Sequence, residues 1–208
     1  GARGAAHVGV LIGLEELHVP VDAIAGTSIG SIIGGLYAAG LSTEQLDALF
    51  RHSNWDELFR DTPPRRQLSF RRKQEDQLQL WRLRISFDKG KVVLPTGLVS
   101  GQKLDYLLRT LTLPGAPNGE IDALSLPFAA IATDIASGKK RVLDHGDLVT
   151  AMRASMAVPG VFAPIEWDEV LLVDGGLADN LPVDDVRALG ADVVIVDKDA
   201  LERLMAQG

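Results

Sequence analysis

The stretch from Val21 to Gly40, VDAIAGTSIGSIIGGLYAAG, admits few folds. A short apolar run ends in Gly26-Thr27-Ser28-Ile29-Gly30, and a run of small and apolar residues follows. This reads as a strand, a tight turn and a slim helix, with the turn in the form G-x-S-x-G. Such a turn is sharp, and it presents the serine hydroxyl at the C-terminal end of the strand. Gly26 and Gly30 are expected to have a steric reason, because a Cβ at either position would collide with the opposing arm of the turn. The helix N-terminus behind Ser28 adds partial positive charge where an oxyanion or alkoxide would develop. The five-residue pattern alone arises by chance in roughly one chain of this length in ten. Its place between a strand and a helix is what makes it informative.

Such an elbow needs a sheet and a core around it. At 208 residues and 46% hydrophobic content the chain suffices for one domain with a sizeable core. The net charge of −7 argues against bulk attraction to nucleic acid. There is no cysteine, so neither a disulfide framework nor a thiolate metal site is available. No His/Asp/Glu spacing suggests a metal site either, and no cofactor is expected. No apolar run approaches the roughly 18–20 residues of a membrane-spanning helix, and no signal peptide is visible.

Residues 1–19 read as a glycine-rich turn, Gly1-Ala2-Arg3-Gly4, feeding a helix with Val8, Leu11, Ile12 and Leu14 inward and Glu15 and Glu16 outward. A turn of this kind offers free N–H groups to an anion, as a phosphate loop or as an oxyanion hole. Neither G-x-G-x-x-G nor G-K-[ST] is present. His7 falls on the small-residue face and reads as a packed core histidine. The turn opens the chain with no strand before it, so residues upstream of Gly1 are expected.

After the elbow, Gly34, Gly35, Ala38 and Ala39 keep the helix thin, Gly40 fits its C′ position, and Ser42-Thr43-Glu44-Gln45 forms a capping box for a helix to about Arg51. Residues 52–100 change character. Pro63-Pro64 breaks the pattern, and Arg65, Arg66, Phe70, Arg71, Arg72 and Lys73, then Trp81, Arg82, Arg84 and Phe87, interleave base with aromatic. Such a cluster suits anionic lipid headgroups. It suits slightly better a solvated face whose arginines pair with Glu75, Asp76 and Asp88. Residues 85–97 resemble a hairpin turning at Asp88-Lys89-Gly90.

Residues 101–118 read as a helix, GQKLDYLLRTL, and then a Pro/Gly loop; a buried-type strand over 126–135 and a partner strand RVLDHG follow. The helix after that is capped by Asp147 and stopped by Ala157-Val158-Pro159-Gly160. Leu171-Leu172-Val173 then runs into Asp174-Gly175-Gly176, placing a carboxylate at a strand end. In open α/β sheets ligands bind at the carboxyl ends of strands. An ordinary Asp-Gly turn would look the same. Asp184 starts a helix, and Ala191–Val196 reads as a last strand. That strand passes abruptly into DALERLMAQG, which suggests omitted residues near Val196–Lys198.

Taken together, four blocks resemble the patatin-like phospholipase family. Gly1-Ala2-Arg3-Gly4 is similar to the tail of its G-G-G-x-R-G oxyanion loop, without the first two glycines. Gly26-Thr27-Ser28-Ile29-Gly30 is similar to its nucleophile elbow. Arg153-Ala154-Ser155-Met156 through Pro159-Gly160-Val161-Phe162-Ala163-Pro164 resembles its A-S-x-x-x-P-x-x-F-x-P segment, and Asp174-Gly175-Gly176 its D-G-[GA]. Within the family the arginine-rich stretch resembles the passenger domains of bacterial patatin-like (type V) autotransporters.

The resemblance implies an α/β protein, a three-layer α/β/α fold with a mostly parallel central sheet. It implies one catalytic domain over 1–208, with a basic and aromatic insertion at about 61–100. It implies a Ser-Asp dyad in place of a triad, with Ser28 as nucleophile and Asp174 as base, and backbone N–H groups of Gly1, Ala2, Arg3 and Gly4 as the oxyanion hole. A serine hydroxyl is a poor nucleophile until a base takes its proton, and a carboxylate withdrawn from water accepts one more readily. The implied activity is lipid acyl hydrolysis of the phospholipase A type, with phospholipid as substrate, no metal or cofactor, and a peripheral membrane surface as partner. Arg65, Arg66, Arg71, Arg72, Lys73 and Trp81 would be the lipid contacts. The autotransporter likeness implies a homodimer and a secreted or outer-membrane location, with the cytoplasm as the alternative. Other readings remain: a non-catalytic lipid- or phosphoinositide-binding module on residues 65–84, a Ser-His-Asp hydrolase using His7, His18, His52 or His145, and, more distantly, a nucleotide-binding protein.

Overall fold

The computed structural model describes residues 2–58, 86–88, 91–93 and 101–196. The chain opens with α1 (Ala2–Glu16), β1 (Ile24–Thr27), α2 (Ile29–Ala38), α3 (Thr43–His52) and a single turn, α4 (Trp55–Leu58). The strands β2 (Ser86–Asp88) and β3 (Lys91–Val93) pair antiparallel, as the hairpin pattern predicts. Then come α5 (Gln102–Thr112), β4 (Phe128–Asp134), β5 (Lys140–Leu143), α6 (Leu148–Ser155), β6 (Ile165–Trp167), β7 (Val170–Asp174) and α7 (Val183–Ala188).

The strand β4 is the axis of the sheet, and all seven of its residues are buried. Along a strand, successive residues turn their N–H and C=O groups to opposite edges. The even residues of β4 face β5: Asp134 donates to the Lys139 carbonyl at 2.9 Å. The odd positions face the other edge, which two strands share in series. At its lower end Ile24 donates to the Pro127 carbonyl at 3.0 Å, and β1 runs parallel to β4 as far as Thr27 opposite Ile131. At its upper end Ile135 donates to the Leu171 carbonyl at 2.9 Å, and β7 runs antiparallel until Asp174 stands opposite Ala132. The C-terminal ends of β1 and β7 therefore meet head to head on one edge of β4.

The sheet is α/β with helices on both sides, but it is mixed where a mostly parallel sheet was expected. Among the described pairings of this sheet only β1–β4 is parallel. Connection length accounts for two of the three antiparallel pairs. Tight turns join β4 to β5 and β6 to β7, and a tight turn can only join antiparallel strands.

One face of β4, through Phe128, Ala130 and Ala132, packs into the main core with Ile32, Leu36, Leu148 and Met152. Its neighbours Ala129 and Ile131 are equally buried on the opposite face. The thin helix α2 is required for this packing. A Cβ on Gly34 would stand 2.6 Å from Ile24 Cγ2, and one on Gly35 2.6 Å from Met152 Sδ. The predicted capping box is present on α3, where Ser42 Oγ accepts from the Gln45 N–H at 3.3 Å and Gln45 Oε1 accepts from the Ser42 N–H at 2.9 Å.

Three further differences have local causes. The expected turn at residues 1–4 is helical from Ala2, because Ala2, Ala5 and Ala6 favour helix; Gly1 lies outside the described residues. Ala191–Val196 joins no ladder, and Val193 and Ile195 are 79% and 54% exposed. The short strand β6, unmarked in the sequence pattern, pairs with β7 around Asp168 and Glu169, whose positive φ values of 46° and 65° make the two-residue hairpin loop.

Candidate active site

The head-to-head meeting of β1 and β7 brings Ser28 and Asp174 together. Ser28 follows the last residue of β1 with φ 55° and ψ −122°, a conformation that non-glycine residues rarely adopt. Its hydroxyl donates to Asp174 Oδ2 at 2.7 Å. The other carboxylate oxygen, Oδ1, accepts the Gly176 N–H at 2.8 Å. The backbone of Asp174 is held on both sides: its N–H donates to the Ala157 carbonyl at 2.9 Å, and its carbonyl accepts the Thr133 hydroxyl at 2.9 Å. Asp174 is only 9% exposed. A fixed, acceptor-only carboxylate facing one hydroxyl is an arrangement for taking that hydroxyl's proton.

The glycines divide by geometry. A Cβ on Gly26 would stand 2.5 Å from the Gly30 carbonyl oxygen, so the turn closes only over glycine there. Gly30 corrects the expectation: a Cβ on it meets nothing within 4 Å. Of the glycines in the two motifs Gly175 has the tightest constraint, because a Cβ there would fall on the Ile131 carbonyl. On Gly176 it would approach Asp174 Oδ1 at 3.0 Å.

Two buried serines hold the backbone of Ser28, and the sequence reading assigned a role to neither. Ser155 Oγ accepts the Ser28 N–H at 2.9 Å, and Ser31 Oγ donates to the Ser28 carbonyl at 2.6 Å. Ser155 stood in a family-like block, and Ser31 three residues after the elbow serine; no side-chain pattern announces either bond.

The first-turn N–H groups of a helix lack acceptors within it. Those of Ile29 and Gly30 in α2 adjoin Ser28, and Ala2, Arg3 and Gly4 form the first turn of α1. Arg65, Arg66, Arg71, Arg72, Lys73 and Trp81 lie outside the described residues. Of the four histidines, His18, His52 and His145 are exposed, and His145 sits 2.8 Å from Asp144, which raises its pKa. His7 is half-buried. It lines a cavity of about 610 Å³ with Leu11, Ile24, Gly30, Pro182 and Val194. That cavity follows the outer edge of β1. Neither Ser28 nor Asp174 lines it.

An ionic cluster ties the loop after Asp174 to β5. Lys140 on β5 reaches Asp179 at 3.1 Å and Asp185 at 2.8 Å, while the Thr27 hydroxyl donates to the Asp179 carbonyl at 3.0 Å. The loop that follows Asp174 is thus tied both to the end of β1 and to β5.

Known proteins are similar to this chain over nearly its whole length. The patatin-like phospholipase family profile matches residues 1–187. An uncharacterized NTE family protein of Mycobacterium tuberculosis is 35% identical over 195 residues, which are 94% of this chain and 45% of that protein. Human patatin-like phospholipase domain-containing protein 6 is 34% identical over 197 residues, which are 94% of this chain and 12% of that protein. The chain therefore spans less than half the length of these relatives. Among solved structures, VipD from Legionella pneumophila superposes with a TM-score of 0.54 at 15% identity, covering 96% of this chain and 47% of that one, a likeness of fold. These matches reach the family and not the autotransporter subfamily. With the serine elbow and the Asp-Gly-Gly turn set against each other on one strand edge, they establish that the chain belongs to the patatin-like phospholipase family.

Proposed function

We propose that the chain is a serine lipid acyl hydrolase of the phospholipase A type, working through Ser28 and Asp174 and a covalent acyl-enzyme. The observation that carries this reading is the 2.7 Å hydrogen bond from Ser28 Oγ to Asp174 Oδ2. Asp174 takes the hydroxyl proton as Ser28 Oγ bonds to the carbonyl carbon of a glycerophospholipid ester. The tetrahedral intermediate collapses, and the proton passes to the departing lysophospholipid oxygen. Asp174 then takes a proton from water, whose oxygen attacks the acyl-enzyme, and that proton returns to Ser28 as the fatty acid leaves. The developing oxyanion needs donors, each worth about 2.7–4 kcal/mol in comparable sites. The first-turn N–H groups of α2 and of α1 (Ala2, Arg3, Gly4) are the candidates. Exposed Val158, Val161 and Leu177 on the two loops beside Asp174 suit an apolar substrate surface.

The test uses a short-chain nitrophenyl ester and glycerophospholipid vesicles. Ser28→Ala is expected to abolish hydrolysis while leaving vesicle binding intact, and Asp174→Asn to lower kcat about 10⁴-fold, as for other loss of a hydroxyl's proton-handling partner. A fluorophosphonate is expected to label Ser28. Full activity in either variant sinks the dyad. A comparable loss in one of the single histidine-to-glutamine variants would move the reading to a triad.

A further inference from the structure

We infer that Ser155 is a positioning residue that splices the candidate nucleophile into the β4 ladder. The inference rests on the proposed role of Ser28. Along the edge that β4 offers to β1, acceptors recur at Pro127, Ala129 and Ile131. Ile24 N–H uses the first at 3.0 Å, and the parallel register advances two residues per rung. By that count the Ser28 N–H falls due at the Ile131 carbonyl. It goes elsewhere: the ladder of β1 ends at Thr27, and the Ser28 N–H bonds to the Ser155 hydroxyl instead.

Ser155 Oγ stands in the gap. It accepts from the Ser28 N–H at 2.9 Å and donates to the Ile131 carbonyl at 2.5 Å, so two hydrogen bonds through one hydroxyl replace the missing rung. Ser155 is the last residue of α6 and has no exposed surface. A serine at a helix end commonly returns its hydroxyl to its own helix; this one spends both capacities on the elbow and the sheet. Gly175 leaves room for the same Ile131 carbonyl, so the elbow, the helix and the Asp174 turn converge on one oxygen. Ser31 completes the hold by donating to the Ser28 carbonyl.

Two consequences follow. The Ser28 amide is consumed, so it is not an oxyanion donor. The direction of the Ser28 hydroxyl toward Asp174 depends on a residue that touches neither substrate nor the reacting oxygen. Without the hydroxyl of Ser155, two buried backbone groups lose their partner and the elbow is free to relax.

The experiment compares wild type, Ser155→Ala, Ser155→Cys and a control, Val149→Ala, a buried truncation on the same helix away from the elbow. In Ser155→Ala kcat for a nitrophenyl ester is expected to fall about 10- to 100-fold with KM within about twofold, the scale of a misplacement near 1 Å. Ser155→Cys, with a weaker donor and acceptor, is expected to lie between. Val149→Ala is expected to lower the melting temperature and leave kcat near wild type. Independently of turnover, the Ser28 amide is expected to exchange slowly with solvent deuterium in wild type and fast in Ser155→Ala, followed by NMR. Unchanged kcat in Ser155→Ala, unchanged Ser28 exchange, or an equal kcat loss in Val149→Ala would overturn the inference. If Ser28→Ala kept hydrolysing the ester, the dyad reading would fail instead, and the exchange measurement would still decide whether Ser155 holds the elbow.

Discussion

A single methyl group tests how closely the two strand ends meet. On Gly175 it would fall on the Ile131 carbonyl, which already accepts from Ser155, so the Asp-Gly-Gly turn must move and Asp174 with it. On Gly26 it would press on the Gly30 carbonyl at 2.5 Å. Gly175→Ala and Gly26→Ala are each expected to cost about 1–3 kcal/mol, the usual cost of overpacking, and to lower ester hydrolysis beyond what stability explains. On Gly30 the methyl meets open space. Gly30→Ala is expected to be neutral or to stabilise by up to about 1 kcal/mol through helix propensity. Thermal unfolding of the three variants checks the order, and a Gly30→Ala loss as large as that of Gly175→Ala would refute it. The contrast also marks what the chain declared in advance. The elbow and the Asp-Gly-Gly turn were legible because each sets particular residue types in a fixed short order at the end of an apolar run. Ser31 and Ser155 were not, because their bonds go to backbone groups, and the partners of Ser155, Ser28 and Ile131, lie far from it in sequence. The steric role expected of Gly30 followed from the motif's symmetry, which the turn does not share.

Among the elements, α6 depends on its first turn. Asp147 caps it by accepting the Thr150 N–H at 2.7 Å, and Arg109 on α5 grips both carboxylate oxygens, at 2.9 and 3.0 Å. Burial works to raise the pKa of Asp147, but the Arg109 guanidinium and Thr150 overcome it and hold it below the usual carboxylate range. A depressed folded pKa means stability present above about pH 4, the unfolded value, and lost as pH falls through the folded one. Asp147→Asn keeps a good cap and loses the ion pair. Its melting temperature is expected to trail wild type at pH 7 and to converge with it as pH drops below 4. A constant gap from pH 7 to pH 2 would exclude the ion pair as the cause. The cap itself was readable, because Asp-x-x-Thr before an apolar run has a local mechanism. The hairpin that delivers Asp174 was not, since β6 has three residues and its loop uses Asp168 and Glu169 where Asn-Gly is the usual signal. Glu169→Gly is expected to relieve the left-handed backbone and stabilise by about 1 kcal/mol, the lower end of the left-handed cost, measurable by calorimetry. Ala191–Val196 illustrates the opposite limit, where an apolar run of strand composition stays out of the ladder because composition does not specify a neighbour.

At the scale of the whole molecule, parts far apart in sequence are bound to one edge of β4, and Lys140 ties the far side of that assembly. It sits on β5, across β4 from Ser28 and Asp174, yet its ammonium group reaches Asp179 and the 9%-exposed Asp185 in the segment that leaves Asp174. Thr27 donates to the Asp179 carbonyl, which connects the same loop to the residue preceding Ser28. Removing the lysine leaves Asp185 buried without its cation, and such a loss costs more than an exposed pair would return. Lys140→Met is therefore expected to destabilise by about 1–3 kcal/mol at pH 7, discounted for the partial exposure of the pair. Part of that loss is expected to return when Asp185→Asn is added, because the uncompensated charge goes with it. The hydrogen bond to Asp185 holds the Lys140 pKa above its ordinary value against the opposing effect of burial, with Asp179 adding to the rise. A raised folded pKa means that this contribution is complete below the unfolded lysine value of about 10.4 and is lost as pH rises through the folded one. The stability gap between wild type and Lys140→Met is thus expected to be flat from pH 7 to about pH 10 and to narrow only above it. Hydrolysis measured at pH 7 is expected to fall less than in Ser155→Ala, because Lys140 holds the loop and not the serine. A gap that closed by pH 8, or a Lys140→Met/Asp185→Asn double variant no more stable than Lys140→Met alone, would show that the cluster does not tie the two halves of the site.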